Sequence, residues 1–419
     1  MMINKIVLAY SGGLDTSVAI KWLQEKYDAE IITYTADLGQ QGLNKKELKE
    51  KALATGASQV IIEDLKSEFI NEYVFPALQV GAVYEGKYPM ATALARPLIA
   101  KKMVAAAEAV GADAVAHGCT GKGNDQVRFE TAFAALNPEL EVIAPLRDWG
   151  FTTRDTEIEY AKKHDIPVKA TSSSPYSIDE NIWGISVECG QLEDPWLEPP
   201  SDAYQWTNDI ENTPDKAIYL TLGFKSGVPV TLNGQTLKPI ELVEKLNKIG
   251  ANYGVGRIDM VENRLVGIKS REIYEAPAAS ILMQAHQDLS ALVLQRETMH
   301  FKETLMPKYS ETVYYGLWFS ELRQAMQSFF NSFKDKINGE VKIKLYKGQA
   351  KVVGRKSNNS LYDNGLATYD KSDSFDHDAA AGFIKLWSLP LKTAGKAKNS
   401  TGEDNNIEDE NKINKRQII

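Results

Sequence analysis

Apolar residues recur in short bursts through the first 170 positions, and amphipathic stretches separate the bursts. Residues 5–10 form an apolar run of strand type. Residues 17–27 then place Val18, Ala19, Trp22 and Leu23 on one face of a helix. β-rich runs return at 30–38, 59–65, 113–117 and 142–146, with a short one at 166–169. Between them the pattern is helical at 44–55 with Ala52 and Leu53 inward, 67–80 with Pro76 a kink, 92–110, 125–136 and 154–163. Strands alternating with helices predict a mostly parallel sheet covered on both faces. Ligands of such sheets bind beyond the carboxyl ends of the strands. The turns at 11–17, 36–39 and 118–124 are therefore expected on one edge.

The pattern changes near Thr171, where residues 171–175 read as a linker. Strands at 217–224 and 228–232 flank Lys-Ser-Gly and predict a hairpin. Helices follow at 239–249, 277–299, 320–335 and 379–389. Residues 256–266 are strand-like, and 341–353 alternate as a strand pair with a turn at Lys347-Gly348. Without βα alternation, this part reads as a second, α+β domain. The fold class is α/β: a nucleotide-binding domain at 1–170, a specificity domain at 171–375, a C-terminal helix at 376–392 and a tail at 393–419. The tail is rich in Gly, Asn, Glu, Asp and Lys, and is expected to be disordered.

Charge and cysteine content narrow the function classes. A formal net charge of −8 argues against a surface built to hold nucleic acid. The two cysteines, Cys119 and Cys189, build neither a disulfide framework nor a zinc cluster. No signal peptide or apolar run of membrane length is evident, so a cytoplasmic setting without membrane partners is expected.

The candidate chemistry begins at Ser11-Gly12-Gly13-Leu14-Asp15-Thr16-Ser17, between the first strand and helix. A strand–turn–helix aims backbone N–H groups and the positive end of a helix at one spot, which suits phosphate. Gly12 and Gly13 let the backbone approach an anion closely, and Ser11, Thr16 and Ser17 add hydroxyls. The loop is neither a Walker A loop nor G-x-G-x-x-G, and it lacks the P-loop lysine. It resembles the S-G-G-x-D-[ST]-S loop of the N-type ATP pyrophosphatases, which cleave ATP between its α and β phosphates. A second constellation ends the fourth strand: His117-Gly-Cys-Thr-Gly-Lys-Gly-Asn-Asp-Gln-Val-Arg128. Read plainly, Asn124 or Asp125 caps a helix after a flexible turn. Thr-Gly-Lys lacks the other Walker A residues.

Together with A-Y-S-G-G-L-D-T-S, this second stretch resembles the argininosuccinate synthase family. Further matches lie in order: Tyr88 in E-G-K-Y-P, A-L-A-R-P at 93–97, S-P-Y-S-I-D-E-N at 174–181, V-E-N-R at 261–264 and K-S-R-E-I-Y-E at 269–275. The resemblance runs from about residue 3 to the helix near Leu389. It implies a ligation in which ATP and L-citrulline give citrullyl-AMP and pyrophosphate, and L-aspartate then displaces AMP. Positioning and charge stabilisation suffice for this, without a side-chain nucleophile. By the same resemblance, Ala9, Tyr10, Ser11, Gly12, Gly13, Leu14, Asp15, Thr16 and Ser17 would hold ATP, with backbone contacts from Ala36 and Gly118. Thr120, Asn124 and Asp125 would hold aspartate. Asp125 suits an α-ammonium, while Thr120 and Asn124 can donate to carboxylates. Asn124 and Arg128 would also touch citrulline, with Arg128 a two-pronged carboxylate site. Tyr88, Ser177, Ser186, Glu262 and Tyr274 would complete that pocket, and Glu262 could pair with the citrulline ammonium. Mg²⁺ is expected on the pyrophosphate through water and phosphate oxygens. The family's C-terminal helix makes subunit contacts, so a homotetramer is expected, and Phe383, Ile384, Leu386 and Trp387 fit burial against a partner.

One position departs from the family pattern. Many members carry Thr-Ser where this chain has Thr92-Ala93, so a hydroxyl is missing at Ala93 and Thr92 stands as the candidate. Plainer readings exist for several residues. Arg128 on an amphipathic helix is ordinarily a solvated charge, and Glu262-Asn263 a surface turn. Cys119 reads as a small filler, His117 as hydrogen-bonded structure, and the other histidines as scattered. The same ATP loop also serves tRNA thiolation, which two lone cysteines and an acidic balance disfavour, and amidotransfer, which needs a glutaminase cysteine although no cysteine precedes Cys119. A non-catalytic sensor is disfavoured by the intact polar residues.

Overall fold

The computed structural model describes residues 3–151, 154–167 and 175–401. Five short strands form a parallel sheet: β1 (Lys5–Ala9), β2 (Glu30–Asp37), β3 (Gln59–Asp64), β4 (Ala114–Ala116) and β5 (Glu141–Ile143). The order is β3-β2-β1-β4-β5, so β1 is central and Leu8 faces Thr33 on one side and Ala116 on the other. β1 is buried on both faces. Val7 enters one hydrophobic core, while Ile6 and Leu8 enter the other. This is why β1 reads as an unbroken apolar run. The chain order reverses at β1, and the turns after β1, β2 and β4 lie side by side at the carboxyl edge.

Two antiparallel sheets follow. β6 (Ser177–Asn181), β7 (Gly184–Glu188), β11 (Arg257–Asn263) and β12 (Lys269–Glu275) form one, in the order β11-β12-β7-β6. β8 (Ile218–Lys225), β9 (Val228–Leu232), β10 (Gln235–Thr236), β13 (Gly339–Tyr346) and β14 (Gln349–Lys356) form the other, in the order β10-β9-β8-β13-β14. The expected hairpin joins β8 to β9, with Ser226 at φ 49° and Gly227 at φ 75°. The turn at Lys347-Gly348 joins β13 to β14 as expected. All three sheets lie in one compact unit that ends at Leu361. The unit from Tyr362 holds the helices His377–Trp387 and Leu389–Thr401, with Asp376 capping the first at 3.0 Å from the Ala379 N–H.

Several elements differ from their sequence reading. The segment read as one kinked helix at 67–80 is α-helical at Lys66–Phe69 and Phe75–Val80, with a π-helical turn at Ile70–Val74 between them. Pro76 has no N–H to give the ladder and its ring crowds the preceding turn, and the wider π turn absorbs this. The helix read at 277–299 is two helices, Pro277–Val293 and Arg296–Tyr314. The fifth strand ends at Ile143, because Pro145 opens a helical turn. On the helix Lys45–Thr55, Leu48 and Ala52 face inward while Leu53 is exposed. The helix Leu389–Thr401 continues past residue 393, where disorder was expected to begin. The linker at 171–174 and the end of the short strand at 166–169 fall outside the described residues.

A buried lysine stands out in the packing. Lys302 is 1 % exposed, and its ammonium donates to the Met306 thioether at 3.4 Å. Beside it His286 is buried, and its Nε2 finds no partner among the described residues. Burial brings the Lys302 amine down to about 8. An unfolded lysine titrates near ~10.4, so the folded chain carries an unfavourable charge below about pH 8. Lys302→Met is expected to stabilise the protein by about 2 kcal/mol near neutral pH. The gain should shrink between about pH 8 and 10, as the folded wild type sheds its proton before the unfolded chain does. Urea unfolding at neutral and alkaline pH measures both.

Candidate functional site

A cleft of 590 Å³ opens at the carboxyl edge of the parallel sheet, and β6, β7, β11 and β12 contribute to its walls. The glycine loop reaches it through Ser11, Asp15 and Thr16. Gly12 sits at φ 79°, and a Cβ there would stand 2.4 Å from Leu48 Cδ1. The positive φ favours glycine, and a Cβ would oblige the Leu48 side chain to shift. Gly13 occupies the N-cap of the helix Leu14–Tyr27, and no side chain caps that end. The first helical N–H groups therefore remain available to an anion. Ser11 Oγ and Thr16 Oγ1 lie 3.1 Å apart.

Ala9, Tyr10, Ser11, Asp15 and Thr16 line the cleft, and so do Ala36 and Gly118. Gly12, Gly13, Leu14 and Ser17 do not. Ser17, read from the sequence as a further hydroxyl donor, is fully buried and donates to the Gly13 carbonyl at 2.7 Å. It braces the loop from inside. The loop lacks a lysine of its own, but Lys51 donates to the Gly12 carbonyl at 2.5 Å.

The next wall is the helix Asn124–Leu136. Its N-cap is Gly123, not Asn124 or Asp125, whose side chains are engaged elsewhere. Asp125 accepts from Arg96 Nε at 3.0 Å and Nη2 at 2.7 Å, and from Arg128 Nη1 at 2.8 Å. Burial pushes the Asp125 carboxyl up, but the two guanidiniums outweigh it and bring it down to about 2. Arg96 also pairs with Asp179 on β6. Arg128 Nε donates to the Tyr314 carbonyl at 2.9 Å, and the guanidinium lies 4.7 Å over the Tyr314 ring. Its Nη2 is buried and has no partner among the described residues. Of the two prongs expected, one is thus committed to Asp125 and one remains open. Asn124 donates to the Tyr314 hydroxyl at 2.8 Å and accepts from the Leu265 N–H at 2.8 Å. Thr120 lines the cleft on the turn before this helix.

The third wall carries the remaining candidates. Glu262, on β11, is 2 % exposed and accepts from the Tyr274 hydroxyl at 2.7 Å and from the Tyr314 hydroxyl. Burial raises its carboxyl, although both phenols pull the other way. Tyr88 stacks on Tyr274 with centroids 3.8 Å apart, and its hydroxyl accepts from the Thr92 N–H at 3.0 Å. Ser177, Ser186 and Thr92 line the cleft, whereas Ala93 is fully buried outside the lining. Arg264 binds Glu188 and Glu272 nearby, and burial followed by the Glu188 charge pushes Glu272 up to about 8.

The cleft also takes in residues that sequence reasoning did not assign: Arg96, Asp179, Glu188, Arg264, Glu272 and Tyr314. Arg96, Asp179, Arg264 and Glu272 lie inside the motifs quoted above, so a signal for them existed. Glu188 and Tyr314 lie in none of those motifs. His117 is buried with Nε2 3.1 Å from Glu130, which fits the structural reading. Cys119 lines the cleft, but burial pushes its thiol up, away from the nucleophilic thiolate.

Two family models match this chain. Residues 5–167 match the arginosuccinate synthase N-terminal HUP domain, and residues 176–394 match the C-terminal domain of the same family. Proteins named argininosuccinate synthase match along nearly the whole length. One from Chlorobium phaeobacteroides is 56 % identical over 93 % of this chain and 97 % of its own. One from Oceanobacillus iheyensis is 57 % identical over 93 % of both chains. One from Aquifex aeolicus is 55 % identical over 94 % of this chain and 98 % of its own.

The chain belongs to the argininosuccinate synthase family. It is therefore a ligase of arginine biosynthesis that takes ATP as co-substrate. Its parallel sheet is the HUP-type domain of that family, joined to antiparallel sheets and a C-terminal helix. Among the described residues, no helix is long and apolar enough to cross a membrane. For an argininosuccinate synthase family member, the glycine loop has a direct test. Gly12→Ala is expected to weaken ATP binding at least tenfold by calorimetry, and to cost about 1–3 kcal/mol of stability through the forced φ and the Leu48 clash.

Proposed function

We propose that the cleft joins L-citrulline to L-aspartate in two adenylate-linked steps. One observation carries this reading: the glycine loop and the pocket of Arg128, Glu262 and Tyr274 line a single cleft. In the first step the ureido oxygen of citrulline attacks the α-phosphorus of ATP. The bond to the bridging oxygen of the β-phosphate breaks, and pyrophosphate leaves over residues 11–17. In the second step the aspartate amine attacks the activated ureido carbon. The carbon–oxygen bond breaks, AMP leaves with that oxygen, the nitrogen loses its proton, and argininosuccinate is formed.

The residues divide this work. Unclaimed N–H groups at the start of the helix Leu14–Tyr27, with Ser11 and Thr16, hold the phosphates. Ala36 and Gly118 border the nucleotide, and Gly118 is pinned because a Cβ would stand 2.9 Å from Thr16 Cγ2. The open Nη2 of Arg128 receives the citrulline carboxylate and Glu262 its ammonium. Tyr88, Thr92, Ser177 and Ser186 shape the remaining surface. Asp125, held ionised by Arg96 and Arg128, receives the ammonium of aspartate beside Thr120 and Asn124. Residues 1–170 would thus supply the nucleotide site and part of the amino-acid pocket, and 171–375 would complete its specificity through Ser177, Ser186, Glu262 and Tyr274. Mg²⁺ would arrive with the nucleotide and neutralise the leaving pyrophosphate. Phosphate oxygens and water would be its ligands, and Asp15 lines the same cleft. Exposed Phe383, Ile384, Leu386 and Trp387 support subunit contacts in a homotetramer.

Incubation with ATP, citrulline and aspartate should release AMP and pyrophosphate only when citrulline is present. ADP as product, or turnover without citrulline, would refute the reading. Asp125→Asn should lower argininosuccinate formation roughly a hundredfold and citrulline-dependent ATP–pyrophosphate exchange much less, the loss in exchange coming through the Asp125 tie to Arg128 Nη1. Equal loss of both steps would contradict the aspartate assignment.

A further inference from the structure

Tyr314 ends the helix Arg296–Tyr314, far in sequence from every motif that marks the site. It is fully buried. Its hydroxyl accepts from Asn124 Nδ2 at 2.8 Å and donates to Glu262 Oε1. Its carbonyl accepts from Arg128 Nε at 2.9 Å, and its ring lies under the Arg128 guanidinium. One residue therefore fixes a side chain on the helix Asn124–Leu136, a second on the same helix, and a third on β11. Its own ring is held by Tyr84, stacked at 3.5 Å with planes 5° apart, and the Tyr84 hydroxyl is anchored on the Asn263 carbonyl at 2.7 Å. Nothing in this arrangement leaves the phenol free to rotate away.

We propose that Tyr314 is the positioning residue of the citrulline site, setting Glu262 and Arg128 at the separation that one amino acid's ammonium and carboxylate require. The inference deepens the reading above and rests on it. Three consequences follow from the bonding. The phenol spends its proton on Glu262 and its lone pair on Asn124, so it cannot itself serve as acid or base without breaking the link. The Tyr314 carbonyl takes Arg128 Nε and Asp125 takes Nη1, which leaves Nη2 as the open donor. Finally, the hydroxyl favours the ionised form of Glu262 against burial. The charged and titratable groups facing Glu262 are Tyr314, Tyr274, Tyr84, Tyr88, Arg128, Arg264 and Glu272.

Tyr314→Phe keeps the ring, the stacking and the backbone carbonyl but removes both hydroxyl bonds. The variant is compared with wild type in citrulline-dependent ATP–pyrophosphate exchange and in direct ATP binding. The expected result is a KM for citrulline raised at least about tenfold, an unchanged ATP affinity, and an acid limb moved to higher pH. The sign is set by the bond: Glu262 without this donor holds its proton to a higher pH. Glu262→Gln should abolish that movement of the acid limb. A citrulline KM and pH profile equal to wild type would overturn the inference, and so would ATP affinity falling in parallel with citrulline affinity. Wild-type protein that shows no citrulline-dependent exchange would instead defeat the underlying reading.

Discussion

The placement of β1 between β2 and β4 is the constraint on which the site depends. Parallel pairing brings all three strands to their carboxyl ends at one edge. Because chain order reverses at β1, the turns that follow diverge and leave a crevice between them. Ile6, Val7 and Leu8 hold β1 there by burial on both faces. The loop after it can then be spent on ligand contacts. Gly12 accepts a positive φ against Leu48, and Ser17 ties the loop back onto its own helix. A rigid sheet thus presents an unrigid composition, two glycines and short polar side chains, in a single geometry.

The second constraint is electrostatic. The cleft buries Arg96, Arg128, Asp125, Glu262, Arg264 and Glu272 to differing degrees, and each is tied to an opposite charge or a hydroxyl. Buried charges persist only when so paired. The pairing drives neighbouring carboxyls apart in acidity. Asp125 is driven down by two arginines, whereas Glu262 and Glu272 are driven up by burial. Carboxyl groups in one cleft thereby acquire distinct preferences for ammonium groups.

Much of this was legible in the sequence, for reasons that differ by region. The parallel sheet was legible because its strands are apolar on both faces and alternate with helices. Its three cleft-bordering turns were legible because Gly and short polar residues punctuate them. β6 was not legible, since the one apolar side chain of Ser177–Asn181, Ile178, is exposed, while β7 alternates Ile185 and Val187 against cleft-lining Ser186 and Glu188 over only five residues, too short a run to stand out. The break between Pro277–Val293 and Arg296–Tyr314 was hidden because the apolar period continues across it. Tyr314 was hidden most completely. Its role comes from partners at positions 124, 128 and 262, and no local pattern reports contacts at that distance. The plain reading of Asn124 and Asp125 as helix caps failed for a related reason: tertiary partners claim both side chains, and Gly123 takes the cap position.

The account's central claim is that the ureido oxygen of citrulline captures the adenylyl group in this cleft. Citrulline carrying a heavy-oxygen label in its ureido group tests it most directly. After complete turnover with ATP and aspartate, mass spectrometry should find the label in the phosphate of AMP, because the oxygen that bonded to α-phosphorus leaves with it. Label found in free phosphate, in pyrophosphate or in water, with none in AMP, would contradict the account.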